Sequence, residues 1–121
     1  MGPVDIGFIE RCESWILESR FFPSKVGGKP AWLNLSHIPD AKSVECKTCG
    51  EPCVFLCQVY APLSTDEAFH RTLFVFICKN YQCCRENYNG NIRVIRQQIG
   101  RSNEFYPFEP PKEEKDWRPD I

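Results

Sequence analysis

Two stretches decide the reading of this chain. The first is Cys46-Lys47-Thr48-Cys49-Gly50 with Cys53-Val54-Phe55-Leu56-Cys57-Gln58-Val59-Tyr60 close behind it. The second is Leu73-Phe74-Val75-Phe76-Ile77-Cys78, with Cys83-Cys84 after it. Both apolar runs are rich in β-branched and aromatic residues and predict strands. Neither alternates cleanly, so the pattern predicts strands covered on both faces. Between them, Ala61 to Phe69 carries Pro62, Ser64, Thr65 and Asp66 and reads as a hairpin loop. A third strand is predicted over Ile92 to Gln97.

Two cysteines spaced C-x-x-C, with a glycine relaxing the turn behind them, supply half of a tetrahedral zinc site. The hairpin supplies the other half. If the strands pair antiparallel about a loop centred near residues 63–66, the position opposite Cys49 falls near residue 78 or slightly beyond. Cys46, Cys49, Cys78 and Cys83 are therefore the candidate ligands of one zinc-ribbon-like site, with Cys84 as the alternative to Cys83. Four thiolates leave no open coordination position, so a single structural zinc is expected, worth on the order of 10–16 kcal/mol of apparent binding free energy. A redox C-x-x-C is disfavoured, because that motif opens a helix within a βαβ unit and none is visible. Cys53 and Cys57 share a strand face with Phe55 and Val59 and read as core, as does Cys12.

Working outward, the chain has 121 residues, 8 of them cysteine, which without an export signal points to metal rather than disulfides. Met-Gly-Pro-Val-Asp-Ile-Gly has no basic region followed by an apolar one, and Ile6 stands where myristoylation wants Ser or Thr. No run approaches the roughly 20 apolar residues of a bilayer span. The expectation is a soluble, intracellular chain. An apolar fraction of 42% excludes a disordered segment, and a core this small gains much from a metal staple. A net charge of −1 argues against a dedicated nucleic-acid binder. The charge is unevenly spread, with residues 71–101 at +5 between two blocks of −3. Arg71, Lys79, Arg85, Arg93, Arg96 and Arg101 make that basic block, which reads more simply as a solvated strand face.

Upstream, Phe8, Ile9, Trp15, Ile16, Leu17, Phe21 and Phe22 fit a helical face or a strand equally well. Pro23 and Pro30 bracket Gly27-Gly28 and mark a tight turn with a glycine at positive φ. Residues 107–121 are proline-rich and charged and read as a linker, from which the natural protein is expected to continue. The expected organisation is a zinc-stapled β domain over residues 1–106 and that linker. The 1–35 segment wraps over the sheet, with a small helix near residues 9–18 or in the 81–91 loop.

Catalysis has little to work with. His37 and His70 are the two groups available as general bases near neutral pH, and a His70 pair with Cys57 or Cys78 has no sign of an orienting third group. Val26-Gly27-Gly28-Lys29-Pro30 lacks the first glycine of a phosphate loop, and Pro30 replaces its magnesium-binding hydroxyl. A non-enzymatic protein is expected.

An ordered set of motifs resembles the programmed cell death protein 2 family. It consists of Phe22-Pro23-Ser24-Lys25-Val26-Gly27-Gly28-Lys29-Pro30-Ala31-Trp32-Leu33, Cys46-x-x-Cys49-Gly50, Gln58-Val59-Tyr60-Ala61-Pro62-Leu63, Phe69-His70-Arg71, Phe76-x-Cys78, Arg96-x-Gln98 and Asn103-Glu104-Phe105-Tyr106-Pro107-Phe108-Glu109-Pro110-Pro111. The resemblance implies the amino-terminal half of a longer protein, which a MYND-type zinc finger and a carboxy-terminal domain would follow. It also implies a dedicated chaperone that binds a newly made small-subunit ribosomal protein, the universal S5 homologue. That role supports small-subunit biogenesis in cytoplasm and nucleus, with links to proliferation and apoptosis. Finger-lacking relatives place their last cysteines in a C-x-x-C-like arrangement, whereas this chain has Cys78-x4-Cys83-Cys84, which leaves the fourth ligand open between Cys83 and Cys84.

The physical logic of such a chaperone is shielding of basic and apolar surface. Glu10, Glu13, Glu18, Asp40, Glu45, Glu51, Asp66 and Glu67 are the acids available to face a basic cargo, with Tyr60, Phe69 or Trp32 as aromatic anchors. The alternative is a zinc-ribbon nucleic-acid binder or transcription-associated adaptor. Arg71, Arg93 and Arg96 would then contact phosphates while Phe74, Phe76 or Tyr81 stack on bases. The expected state is a monomer, with nucleic acid disfavoured as a partner and no membrane contact.

Overall fold

A computed structural model describes residues 7–83 and 90–109. Strands β1 (Lys25–Val26), β2 (Val54–Tyr60), β3 (His70–Ile77) and β4 (Ile92–Ile99) form one antiparallel sheet in the order β1-β2-β3-β4. The fold is mainly β. Among the described residues the connections carry short 3-10 turns, at Ser14–Leu17, Ser19–Phe21, Ala41–Val44, Asp66–Ala68 and Tyr81–Cys83, and no α-helix. None of the described helices is long and apolar enough to cross a membrane.

The two apolar runs pair directly, from Val54 opposite Ile77 to Tyr60 opposite Thr72. The expected loop closes them through Ala61 N–H to Arg71 C=O at 2.7 Å and Leu63 N–H to Ala68 C=O at 2.8 Å. The third predicted strand is β4, which runs on to Ile99. The 9–18 segment is neither regular helix nor strand. Its 3-10 turn at Ser14–Leu17 ends at Glu18, whose backbone is extended, and Trp15 meets Phe21 edge-on at 5.4 Å. At the predicted tight turn both Gly27 and Gly28 adopt φ of 73°, a conformation that strains residues with a Cβ.

The core lies on one side of the sheet. Along β3 the alternate residues His70, Thr72, Phe74 and Phe76 are buried. Leu33, Tyr106 and the thiols Cys46, Cys53, Cys78 and Cys83 join Phe74 and Phe76 in one cluster, with Trp32 packed against it. Trp32 lies 4.6 Å from the Phe74 ring and Phe22 and Leu33 join the same cluster, so residues 22–33 of the expected 1–35 wrap cover this face, whereas residues 7–12 border Val26 and Cys57. Two buried amides pin the cover. Gln58 accepts from Ala31 N–H through Oε1 at 2.8 Å and donates through Nε2 to the Pro23 and Ala31 carbonyls. Gln97 accepts from Leu33 and Asn34 N–H at 2.9 Å each.

Two expectations are corrected. The second face of the sheet is only partly covered: residues 7–12 border Val26, Cys57 and Val59, while Val54, Ile92 and Val94 stay 41–58% exposed, so the unbroken apolar runs are not explained by burial on both sides. And the face assignment of β2 changes midway. The register slips between Phe55 and Cys57, leaving Leu56 as a bulge whose carbonyl accepts from Gly27 N–H at 2.8 Å. Beyond it Gln58 turns inward, 1% exposed, and Val59 turns out, 45% exposed. Cys53 is core, Cys57 is only half-buried and Cys12 is exposed.

Candidate metal centre

The C-x-x-C segment sits in a turn closed by an antiparallel bridge between Glu45 and Pro52. Cys46 N–H donates to Glu51 C=O and Gly50 N–H to Cys46 C=O, each at 2.9 Å. Gly50 takes φ of 75°, the left-handed conformation that lets the chain reverse behind Cys49. Cys53 N–H then bonds Val44 C=O and the chain enters β2.

Strand β3 returns the chain to this turn. Since Val54 faces Ile77, continuing the ladder sets Cys53, not Cys49, opposite Cys78. It is the folded-back turn, rather than a longer hairpin, that carries Cys49 across to a Cys49 Sγ···Cys78 Sγ distance of 3.7 Å. Cys78 N–H is anchored on Asn91 C=O, and the 3-10 turn Tyr81–Cys83 brings in Cys83 through its N–H bond to Asn80 C=O. The Sγ atoms of Cys46, Cys49, Cys78 and Cys83 lie within 4.8 Å of one another. Cys53 is not among them. Cys84, the alternative fourth ligand, lies outside the described residues.

The electrostatics of the cluster follow from its donors. Thr48 N–H points at Cys46 Sγ and Asn80 N–H at Cys78 Sγ, each at 3.4 Å, the same two-residue offset in both halves. Backbone N–H groups of Cys49 and Thr48 hold the Cys46 thiol down to about 6, which favours its thiolate form. Desolvation, with the other three sulfurs adding to it, pushes Cys83 up to about 12. Four sulfurs this close cannot all ionise without a compensating cation, and a bound cation supplies it. The four cysteines are therefore positioned to bind a metal ion.

The two histidines stand elsewhere. His37 is exposed with Nδ1 3.4 Å from Asn34 Oδ1, and His70 is buried with Nδ1 2.9 Å from the Tyr60 hydroxyl. Neither is paired with a thiol. The basic block is dispersed too. Arg71 Nε donates to Ala61 C=O and Arg93 Nε to Ser43 C=O, while Arg96 lies on the outer face opposite Leu73. Phe74 and Phe76 are 0% and 5% exposed, so neither has a face free for a base. Among the acids, Asp40 caps the Ala41–Val44 turn through Ser43 and Glu18 pairs with Arg20 at 3.1 Å.

The feature that sequence reasoning missed is the outer face of the sheet. Val26, Cys57, Val75 and Val94 are cross-strand neighbours spanning all four strands. Val54, Ile77 and Ile92 form a second row beside them, and Val59, Leu73 and Arg96 a third. Val26 and Val94 are 57% and 58% exposed. The signal was present as two apolar runs too continuous for strands with one buried face.

Residues 3–113 match the family described as Programmed cell death protein 2, N-terminal domain. The chain is 50% identical over 113 residues to Programmed cell death protein 2 of Mus musculus, covering 93% of this chain and 32% of that protein. With its Rattus norvegicus counterpart it is 50% identical over 111 residues, 91% of this chain and 31% of the relative. A Programmed cell death protein 2-like protein of Mus musculus is 37% identical over 84 residues, 69% of this chain and 20% of that protein. The chain thus spans about a third of the length of the first two of these relatives. No solved structure matches it.

Proposed function

The chain belongs to the programmed cell death protein 2 family, and from that premise we propose that it is a non-enzymatic protein-holding domain, stapled by one structural zinc. Its client is a newly made small-subunit ribosomal protein, the universal S5 homologue, held in cytoplasm and nucleus until small-subunit assembly. The family name ties this group to programmed cell death.

One observation carries the reading: the apolar outer face of the sheet, on which Val54, Ile92 and Val94 are 41–58% exposed. Contiguous exposed apolar surface beyond a few hundred Å2 is uncommon on monomers and marks a surface meant to be covered. An unassembled ribosomal protein offers the complement, apolar patches within basic surface. Exposed Glu10, Glu51, Asp66 and Glu67 are available to meet its charge. Of the expected aromatic anchors, Phe69 is exposed, while Tyr60 and Trp32 are half-buried, Trp32 with its ring against Phe74.

Zinc is favoured by the donor set. A tetrahedron with metal–sulfur bonds of about 2.3 Å has edges near 3.8 Å, close to the Cys49–Cys78 separation. Soft all-thiolate tetrahedra select zinc or iron–sulfur centres, and a mononuclear closed site is zinc's usual structural form. Once bound, the ion neutralises the thiolates and cross-links the turn before β2 to the chain after β3.

The test is titration of the zinc-loaded chain with the purified ribosomal protein. Micromolar or tighter association is expected. Val94→Asp should weaken it by roughly tenfold or more, since a buried valine contributes about 1.5–3 kcal/mol. An exposed site leaves thermal stability near wild type. No association at micromolar concentration, or an unaffected variant, refutes the proposal. Steeply salt-dependent binding of single-stranded RNA instead would favour the nucleic-acid alternative.

A further inference from the structure

On the core side, where β2 and β3 meet the hairpin loop, a second constellation stands apart from the thiols and from the outer face. A cavity of about 210 Å3 is lined by the rings of Phe22, Tyr60, Phe69 and Phe108, together with His70 and Arg101. Phe22 is the one non-glycine among the described residues at positive φ, 50°, and it lies flat on the His70 ring at 4.1 Å. A bulky residue in the left-handed region is strained, and such strain persists where the surroundings over-determine it. His70 is 5% exposed and spends Nδ1 on the Tyr60 hydroxyl, which leaves Nε2 without a hydrogen-bond partner among the described residues.

Arg101 completes the set. Its guanidinium stacks 3.6 Å from the Phe108 centroid and 5.3 Å from that of Phe69, and its Nε donates to Phe108 C=O. These contacts fix the plane of the fork while its terminal nitrogens meet no carboxylate among the described residues. Glu109 lines the same cavity, yet forms no ion pair with it.

We propose that this cavity is a binding site for the carboxyl-terminal residue of a peptide, its apolar side chain against the aromatic rings and its carboxylate on Arg101. The volume holds one large side chain and lies below the roughly 300 Å3 at which pockets for drug-sized ligands and cofactors begin, which rules against a nucleotide. A pre-oriented guanidinium recognises a carboxylate by paired N–H···O bonds, strengthened by the apolar walls. A chain terminus carries carboxylate and side chain on one carbon, matching a site that joins a cation to an aromatic wall within a single-residue space. In the tautomer whose Nδ1 accepts from the Tyr60 hydroxyl, His70 carries its proton on Nε2 and offers a second donor.

The experiment uses the metal-loaded chain and acetyl-Gly-Gly-Phe with a free carboxyl terminus, followed by amide NMR shifts. Saturable shifts are expected at residues 69–70 and 101–108 at millimolar peptide or below. The carboxamide form of the peptide and the Arg101→Gln variant should each bind roughly tenfold more weakly or worse. Arg101→Lys, which keeps the charge and loses the fork, should fall between. Phe69→Ala should weaken acid and amide alike. Equal affinity for acid and amide, indifference to Arg101→Gln, or no saturable binding overturns the assignment. So does tighter binding of tetramethylammonium or adenosine monophosphate than of the peptide, which would make the site a cation cage or a base pocket.

Discussion

Replacing Cys78 by serine tests the metal centre where the fold depends on it most. Cys78 is 3% exposed, faces Cys49 at 3.7 Å and ties the end of β3 to the turn before β2. A serine hydroxyl stays protonated at neutral pH and replaces a thiolate poorly as a zinc ligand. Structural four-ligand sites contribute on the order of 10–16 kcal/mol, so one thiolate accounts for about 2.5–4 kcal/mol. Zinc affinity should therefore fall by roughly two to three orders of magnitude. Whole domains are stable by only about 5–15 kcal/mol, so a chelator that leaves the wild type folded should unfold the variant. Cys53→Ser is the matched control. Cys53 is buried at 8%, next in register to Cys78, and outside the sulfur cluster. It should keep one zinc per chain and lose only about 1–3 kcal/mol for the buried hydroxyl. Metal content by atomic emission, paired with a competitive chelator titration, reads both. Full zinc and unchanged chelator resistance in Cys78→Ser, or metal loss in Cys53→Ser, would refute the four-sulfur assignment.

Two further predictions concern the core side. Gln58→Leu strands the Ala31 N–H and two carbonyls under the cover, so unfolding in urea should show a loss of about 2–4 kcal/mol. A loss below about 0.5 kcal/mol would mean that Gln58 does not hold this segment. Burial, aided by the Arg101 charge, keeps the His70 pKa below its free value of 6.5. Between the two values the unfolded chain binds more protons, so stability should decline as pH is lowered from about 6.5 and level off once folded His70 titrates. His70→Gln should flatten that slope in denaturation curves recorded across the window, and an unaltered slope would exclude His70 as its source.

Much of this architecture can be read along the chain. The residue types of 53–60 and 73–78 select strands, the polar break at 61–69 makes them a hairpin, and Cys46, Cys49, Cys78 and Cys83 stand where that hairpin converges. These signals are local, each one a matter of propensity or spacing. The helix-or-strand ambiguity of 9–18 had a local cause as well. Its apolar residues pack singly against neighbours, without the repeated face that either regular element requires.

The bulge at Leu56 was not legible. A run with apolar residues at successive positions gives no hint of where the ladder slips, and one extra residue exchanges the two faces for everything after it. That slip turns Gln58 inward, Val59 outward, and Cys57 onto the outer face. The same holds for the cavity at His70, whose walls come from positions 22, 60, 69, 101 and 108.

The amino-acid order by itself determined the strands, the hairpin and the identity of the sulfur donors, because those depend on neighbours along the chain. Which side of the sheet is buried, that the other stays partly exposed, and how Arg101 comes to lie beside His70 were decided only in three dimensions. Register and packing are settled by contacts between distant residues competing for one face, and no local pattern encodes the outcome.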